Sequence, residues 1–264
     1  MMALGQLRAV LWDVDGTLAE TERDGHRVAF NRAFEACGLP WRWDVARYGE
    51  LLHVAGGRER LLHDMGTRSD APATAGERAS LAAAVHQRKN AFYAELVQGG
   101  AIVLRDGVAA LMQQCRERGL RMAIATTTSR SNVDALLLCH LGPRWREGIA
   151  VLVCGEDVQH KKPDPEVYLR ALRALDIGPL QAVAIEDSPG GVAAARAAGI
   201  PVVATCSAYF ASATIDGALA IGPGLHTRDG WRPALAAAPD GRQGVGLDDI
   251  AAWLAQGDCV SQYA

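Results

Sequence analysis

The chain has 264 residues, 49% hydrophobic and 22% charged, an ordinary globular composition long enough for one elaborated domain or two. Its formal charge of −3 gives no support for nonspecific nucleic-acid binding, which wants a basic face, and no run approaches the ~18–20 uninterrupted apolar residues of a membrane span. Six cysteines without a Cys-x-x-Cys pair read as buried or free thiols, and a strand starting within about eight residues leaves no room for a signal peptide, so the expectation is a soluble, cytoplasmic monomer with no nucleic-acid or membrane partner.

In chain order, Ala9 to Trp12 reads as a buried strand that ends in Asp13-Val-Asp15-Gly16-Thr17. Side chains two apart on a strand share a face, so Asp13 and Asp15 would start roughly 6–7 Å apart, with Gly16 permitting a sharp turn. Two carboxylates at a strand end repel each other unless a cation or a shared proton intervenes. A divalent metal is the simplest resolution; an ordinary surface Asp-x-Asp-Gly turn is the competing reading.

Residues 19–37 predict a helix with Val28, Phe30, Ala33, Phe34 and Cys37 as apolar positions, ended by Gly38 and Pro40. Trp41, Trp43 and Tyr48 form an aromatic cluster suited to packing between short helices. Two such helices are expected over 44–53 and 57–65, joined by Val54-Ala-Gly-Gly57; a polar loop over 67–76 precedes a long helix, 77–96, that Gly99-Gly100 ends.

From Arg105 onward helix and strand alternate: helix 106–118, strand 121–126, helix 130–140, strand 149–153, helix 164–175, strand 181–185, helix 189–198, strand 201–205. This pattern argues an α/β fold with a doubly wound, Rossmann-like parallel sheet, whose ligands bind beyond the strands' carboxyl ends. A sixth strand fits 217–221. An irregular loop fits 222–246, and 247–254 reads as a terminal amphipathic helix.

Three later strands also end in polar groups: Ala125-Thr-Thr-Thr-Ser129, Lys161-Lys-Pro-Asp-Pro165, and Ile185-Glu-Asp-Ser-Pro-Gly-Gly191. Asp-x-Asp-Gly-Thr, then Thr, then Lys-Pro, then Glu-Asp, in that order, resembles the haloacid dehalogenase superfamily of phosphotransferases. The resemblance implies a core of residues 1–18 and 99–264 with a helical cap, 19–98, inserted after the first strand. It makes Asp13 the nucleophile, Asp15 the general acid and base, Thr126 and the Thr127 N–H at the start of the next helix donors to the phosphoryl group, and Lys162 the neutralising cation. Lys161 competes with Lys162, but the family's lysine directly precedes the proline. It also implies Mg²⁺ held by the Asp13 carboxylate, the Asp15 carbonyl and Asp187, with Glu186 nearby or bridged through water. Ser188-Pro-Gly-Gly191 reads as a helix N-terminus supporting those ligands, although it looks like a phosphate loop.

A narrower resemblance covers residues 8–205. Asp13 through Glu22, Trp43-Asp…Tyr48…Leu-Leu52, Gly56-Gly-Arg-Glu-Arg60, Ala125-Thr-Thr-Thr-Ser129…Asn132 and Lys-Lys-Pro163 are similar to the CbbY-type phosphatases of the Calvin-cycle cluster. That family dephosphorylates xylulose 1,5-bisphosphate, so the implied partner is a small phosphorylated metabolite. Glu22, Tyr48, Gly57, Arg58, Thr128, Ser129 and Asn132 would contact it. Arg58 and Lys89 match the places where related caps hold a distal phosphate, while Arg60 and Arg88 fit solvated helix charges better. Trp12 departs from the usual Phe and Arg58 from a common lysine. His26 falls one residue later than in several relatives; it and His53 could be catalytic, but a lone histidine on a cap helix is usually surface or packing. Phosphoglycolate phosphatase and phosphomutase activities are the rivals on the same framework; a binding-only relative need not keep all five core groups.

Overall fold

Alternation within the strands decides which helices lie on which side of the sheet. The computed structural model describes residues 6–261, with side chains described to residue 256, so Cys259 lies outside the described residues. Strands β1 (Ala9–Trp12), β2 (Arg121–Ala125), β3 (Val151–Val153), β4 (Ala182–Glu186), β5 (Val202–Thr205) and β6 (Ala220–Gly222) form one sheet in the order β3-β2-β1-β4-β5-β6. Every neighbouring pair is parallel.

Trp12 pairs with Ile124 on one side and Ile185 on the other, and all three join the cluster on one face with Val10, Val183 and Val203. Helices α5 (Val108–Glu117), α6 (Arg130–Leu141) and α9 (Leu247–Ser261) cover that face. The opposite face presents Ala9, Leu11, Ala123, Ala125, Ala184 and Ala204 to α7 (Glu166–Leu175) and α8 (Pro189–Ala197). Its small side chains let α7 lie close, and Tyr168 on α7 reaches the end of β4, 2.5 Å from Glu186.

After β1 the chain leaves the sheet and builds α1 (Arg27–Ala36), α2 (Val45–Leu51), α3 (Gly57–Gly66) and α4 (Ala75–Gln98). These helices bury a core of their own, with Phe30, Phe34, Trp41, Trp43, Tyr48, Leu51, Leu61, Met65 and Val85. Each such side chain contributes about 1.5–3 kcal/mol when fully buried. The tryptophans pack as expected, and their indole N–H groups are satisfied: Trp43 donates to Asp64 and Trp41 to Asp70, both at 2.9 Å. Asp44 caps α2 by accepting from the Arg47 N–H at 2.7 Å, and Thr74 with Glu77 forms a capping box on α4.

Several boundaries differ from the sequence reading. The helix expected over 19–37 begins at Glu22, with a π-helical turn, Glu22–His26, before α1. The strand expected over 149–153 is limited to Val151–Val153, the sixth strand shifts to Ala220–Gly222, and the last helix runs on to Ser261. Packing does not divide at residue 98 either, because Tyr93 and Val97 at the end of α4 join the sheet's own cluster.

The outgoing and returning crossings touch through an antiparallel bridge between Ala19 and Leu104. At the far edge, the irregular segment after β6 turns back so that Arg232 bridges Ile221 in antiparallel fashion. Trp231 then packs on Trp253 of α9 with ring centroids 4.8 Å apart. Cys37, Cys115, Cys139, Cys154 and Cys206 are free thiols, and burial pushes Cys115 and Cys154 up to about 12, beyond the reactive range. No described helix is long and apolar enough to cross a membrane.

Candidate active site

In this strand order, consecutive connections run outward in opposite directions from β1 and β4, which leaves a crevice beyond their carboxyl ends. Asp13 follows β1 into that crevice and Glu186-Asp187 end β4 beside it. The Asp13 N–H donates to the Ile185 carbonyl at 3.1 Å, which keeps the two strand ends in step.

Lys162 is the cation of this floor. Its Nζ lies 2.6 Å from Asp13 Oδ1, 2.6 Å from Glu186 Oε1 and 2.9 Å from the Ala125 carbonyl. Lys161 points elsewhere, to the Gly155 carbonyl at 3.0 Å and to Glu59 of α3 at 3.5 Å, so it spans the mouth between helices and sheet. Glu186 is fully engaged: Oε1 also accepts from Tyr168, Oε2 accepts from the Asp187 N–H at 3.2 Å, and a Cβ on Gly191 would overlap its carboxylate. This explains the glycine at 191, whereas a Cβ at Gly190 would meet nothing. Ser188 itself caps α8, accepting from the Gly191 N–H at 3.1 Å, so the segment is a helix start rather than a phosphate loop.

Oxygen atoms of Asp13, Glu186 and Asp187 all lie within 4.8 Å of one another. Burial pushes the Asp13 carboxyl up, to about 7, against the pull of Lys162; Asp187 is pushed well up by burial and by the charges of Asp13 and Glu186. A cluster of hard oxygen donors under this mutual repulsion fits a divalent cation such as Mg²⁺. Glu186 holds Lys162 through Oε1, and oxygens of all three carboxylates stay close enough to share one ion.

Asp15 turns away from that cluster. Its Oδ1 accepts from Thr21 at 2.6 Å and lies 2.8 Å from His26 Nε2. Burial pushes Asp15 up, but His26 and Thr21 outweigh it and hold the carboxyl below the usual range. His26 is 3% exposed and stacks on Tyr93 with centroids 4.3 Å apart, so of the two ordinary readings it packs rather than lying at the surface, and its Nε2 reaches Asp15 as well. A π-turn takes one more residue than an α-turn. His26 closes the π-helical turn Glu22–His26, from which its ring reaches Asp15.

From β2, Thr126 accepts the Thr128 N–H at 3.3 Å, and Thr127, Thr128 and Ser129 continue around the cavity wall. Thr127 lies in the loop before α6, whose N-cap is Ser129, so its N–H is not part of the helix's first turn as expected. Asn132 stands one layer back, 2% exposed, donating to Thr128 Oγ1 at 3.2 Å.

Helices α1, α3 and α4 form the opposite wall of a cavity of about 700 Å³, to which Glu22, Gly57, Arg58, His86 and Lys89 contribute. Tyr48 is not on that wall. It is fully buried behind Glu22, donating to Oε2 at 2.5 Å and accepting from Arg60 Nη1 at 2.7 Å. Arg60 is 5% exposed and pairs with Glu22 at 3.5 Å, so the solvated-charge reading holds for exposed Arg88 and fails for Arg60. Lys89 is 2% exposed, with Nζ between the rings of Phe30 at 5.4 Å and Tyr93 at 5.3 Å. Desolvation lowers it to about 8, although Asp15 and Glu22 pull the other way.

His86 and Phe210 are among the wall residues that had no role in the sequence reading. His86 lies three residues before Lys89 on the same face of α4, a spacing that could have flagged it, and burial lowers it to about 3, leaving a neutral imidazole. Phe210, from the segment after β5, carried no such signal.

Residues 7–199 match the family model for a haloacid dehalogenase-like hydrolase. Protein CbbY encoded on a plasmid of Cupriavidus necator is 45% identical over 219 residues, covering 83% of this chain and 86% of the relative. Protein CbbY of Rhodobacter capsulatus is 44% identical over 204 residues, 77% of this chain and 87% of its own. In structure, CbbY from Rhodobacter sphaeroides in complex with xylulose-(1,5)bisphosphate superimposes with a TM-score of 0.75 at 40% identity, over 80% of this chain and 92% of that one.

Proposed function

The chain belongs to the haloacid dehalogenase-like hydrolases, in their CbbY-type branch of phosphatases, and from that premise we propose that it hydrolyses the 1-phosphate of xylulose 1,5-bisphosphate with Mg²⁺. One observation carries the reading: a single cavity has a carboxylate–lysine floor at one end and a cationic wall, Arg58 and Lys89, from the inserted helices. A sugar carrying two phosphates fits such a pair of ends. A monophosphate leaves the second without a partner.

In the proposed reaction, Asp13 Oδ2 attacks phosphorus while Lys162 holds Oδ1, and the P–O bond to the sugar breaks as the sugar oxygen takes a proton from Asp15. His26, 2.8 Å from Asp15, is the nearest source of that proton. Water then attacks the aspartyl phosphate, and Asp15, held as a carboxylate, takes its proton as phosphate leaves. Thr126 and Thr127 position the phosphoryl oxygens. Asp13, the Asp15 carbonyl and Asp187 would hold Mg²⁺, which when bound supplies charge neutralisation for the phosphoryl oxygens. Glu22, Gly57, Thr128 and Ser129 would meet the sugar, Tyr48 acting through Glu22 and Asn132 through Thr128. The inserted helices, 19–98, would act as a cap that opens for exchange and excludes water when shut.

The test is phosphate release from xylulose 1,5-bisphosphate, ribulose 1,5-bisphosphate, 2-phosphoglycolate and β-glucose 1-phosphate, with Mg²⁺ and after chelation. A kcat/KM at least ~10²-fold higher for xylulose 1,5-bisphosphate, about 2.7 kcal/mol of discrimination, is expected, together with loss of activity on chelation. A profile led by 2-phosphoglycolate would discard the substrate, and conversion of β-glucose 1-phosphate to the 6-phosphate would make the enzyme a mutase.

The Lys89 ammonium gives a pH signature. With its pKa lowered to about 8, it is charged below that pH and neutral above. For the bisphosphate, kcat/KM should fall as pH rises through 8, by up to about tenfold per unit. Lys89→Met should remove this limb, and an unchanged limb in that variant would take Lys89 out of phosphate binding.

A further inference from the structure

Arg105 sits on the returning crossing between α4 and α5, outside the cavity, with its side chain 12% exposed. Its guanidinium gathers three separated stretches of chain. Nη1 donates to the carbonyl of Gly16 and, at 2.7 Å, to that of Thr205. Nη2 donates to the carbonyls of Cys206 and Pro223, both at 2.9 Å. Nε faces Glu20 at 3.7 Å, and the Arg105 N–H donates to the Leu18 carbonyl at 2.8 Å. Gly16, in the left-handed region at φ +86°, is the residue after Asp15. A Cβ there would overlap the Asp187 carboxylate and come within 2.9 Å of Ser207 Cβ. The turn is therefore pressed against Asp187 on one side and held by Arg105 on its carbonyl side.

We propose that Arg105 is a positioning residue for phosphoryl transfer: by fixing the Gly16 carbonyl it holds the Asp13–Thr17 turn against Asp187, and so sets where Asp15 stands. The proposal rests on the roles given above to Asp13 and Asp15. A planar fork with five donors can span carbonyls from three segments; a lysine ammonium, with three donors on one atom, cannot. A small misplacement of a general acid lowers the rate of the chemical step without weakening substrate binding, so the effect belongs in kcat.

The experiment compares full-length parent, Arg105→Lys and Arg105→Ala in thermal melts, in steady-state kinetics on the best substrate, and in amide hydrogen exchange with Mg²⁺. In the folded variants kcat should fall about 30-fold or more with KM within about threefold. Exchange should quicken over Val14–Ala19 and stay unchanged in β2 and α7. Millimolar guanidinium should recover part of the Arg105→Ala loss. A folded variant whose kcat stays within threefold of the parent, or whose loss lies in KM, would overturn the proposal. So would failure of both variants to fold, which would make Arg105 a clamp of the fold. Absence of Mg²⁺-dependent phosphatase activity in the parent would instead sink the proposed function, and the exchange data would still report whether Arg105 holds the turn.

Discussion

Asp13→Asn is expected to give a folded protein whose turnover is lower by at least about 10⁴-fold, roughly 5.5 kcal/mol of transition-state stabilisation. The amide keeps the shape of the carboxylate and can still accept from Lys162, but it is neither a competent nucleophile nor a good ligand for a hard cation. The fold should tolerate the change well. Burial already pushes the Asp13 carboxyl up to about 7, so ionising it on the floor is costly, and a neutral group relieves that cost. Phosphate release beside a thermal melt checks both halves. A folded variant within about 10²-fold of the parent would remove Asp13 from the role of nucleophile.

Lys162→Met carries the second large effect, and here stability falls along with activity. Lys162 lies between Asp13 and Glu186 at 2.6 Å from each, and all three are buried. Removing the cation leaves two buried carboxylates unpaired, which is expected to cost about 3–5 kcal/mol. The sign of the pH dependence follows. The Asp13 carboxyl is already pushed up to about 7 by burial against the pull of Lys162, and without that pull it rises further above its unfolded value, so the variant gains relative stability as pH falls through the raised value. Urea midpoints at pH 5.5 and pH 8 should therefore differ from the parent less at the lower pH. A gap that widens on acidification would mean that Lys162 does not offset these acids.

Much of the fold was legible because the strands are short and apolar, β1, β2 and β4 being ended by motifs, and because helix follows strand with few exceptions after Arg105. Most of the floor was legible for the same reason: Asp13, Thr126 and Asp187 sit just beyond strand ends, where spacing in sequence translates directly into direction. Lys162, by contrast, comes from the loop before α7, well past β3 and not at a strand end as the sequence reading had it. The wall above them was not. Arg60 looked like a solvated helix charge, since nothing local announces that Tyr48 and Glu22 wait on other elements to bury it. His26 was left without a firm role because nothing local in a lone histidine announces that Asp15, eleven residues earlier, waits within 2.8 Å of its ring. Tyr48 was credited with touching substrate from its place in a motif, although its hydroxyl is spent on Glu22 and Arg60. Phe210 lay in a stretch with no pattern to extend.

The bridge from Arg232 to Ile221 bears on how the molecule behaves in a crowd. A terminal strand of a parallel sheet leaves N–H and C=O groups facing outward, a template onto which another chain can add. Here the chain's own later segment takes up that side of β6 at Ile221, and Trp231, seated against Trp253, pins the returning strap down. The residues beyond the catalytic motifs thus shield this edge from self-association, a protection independent of any chemistry in the crevice.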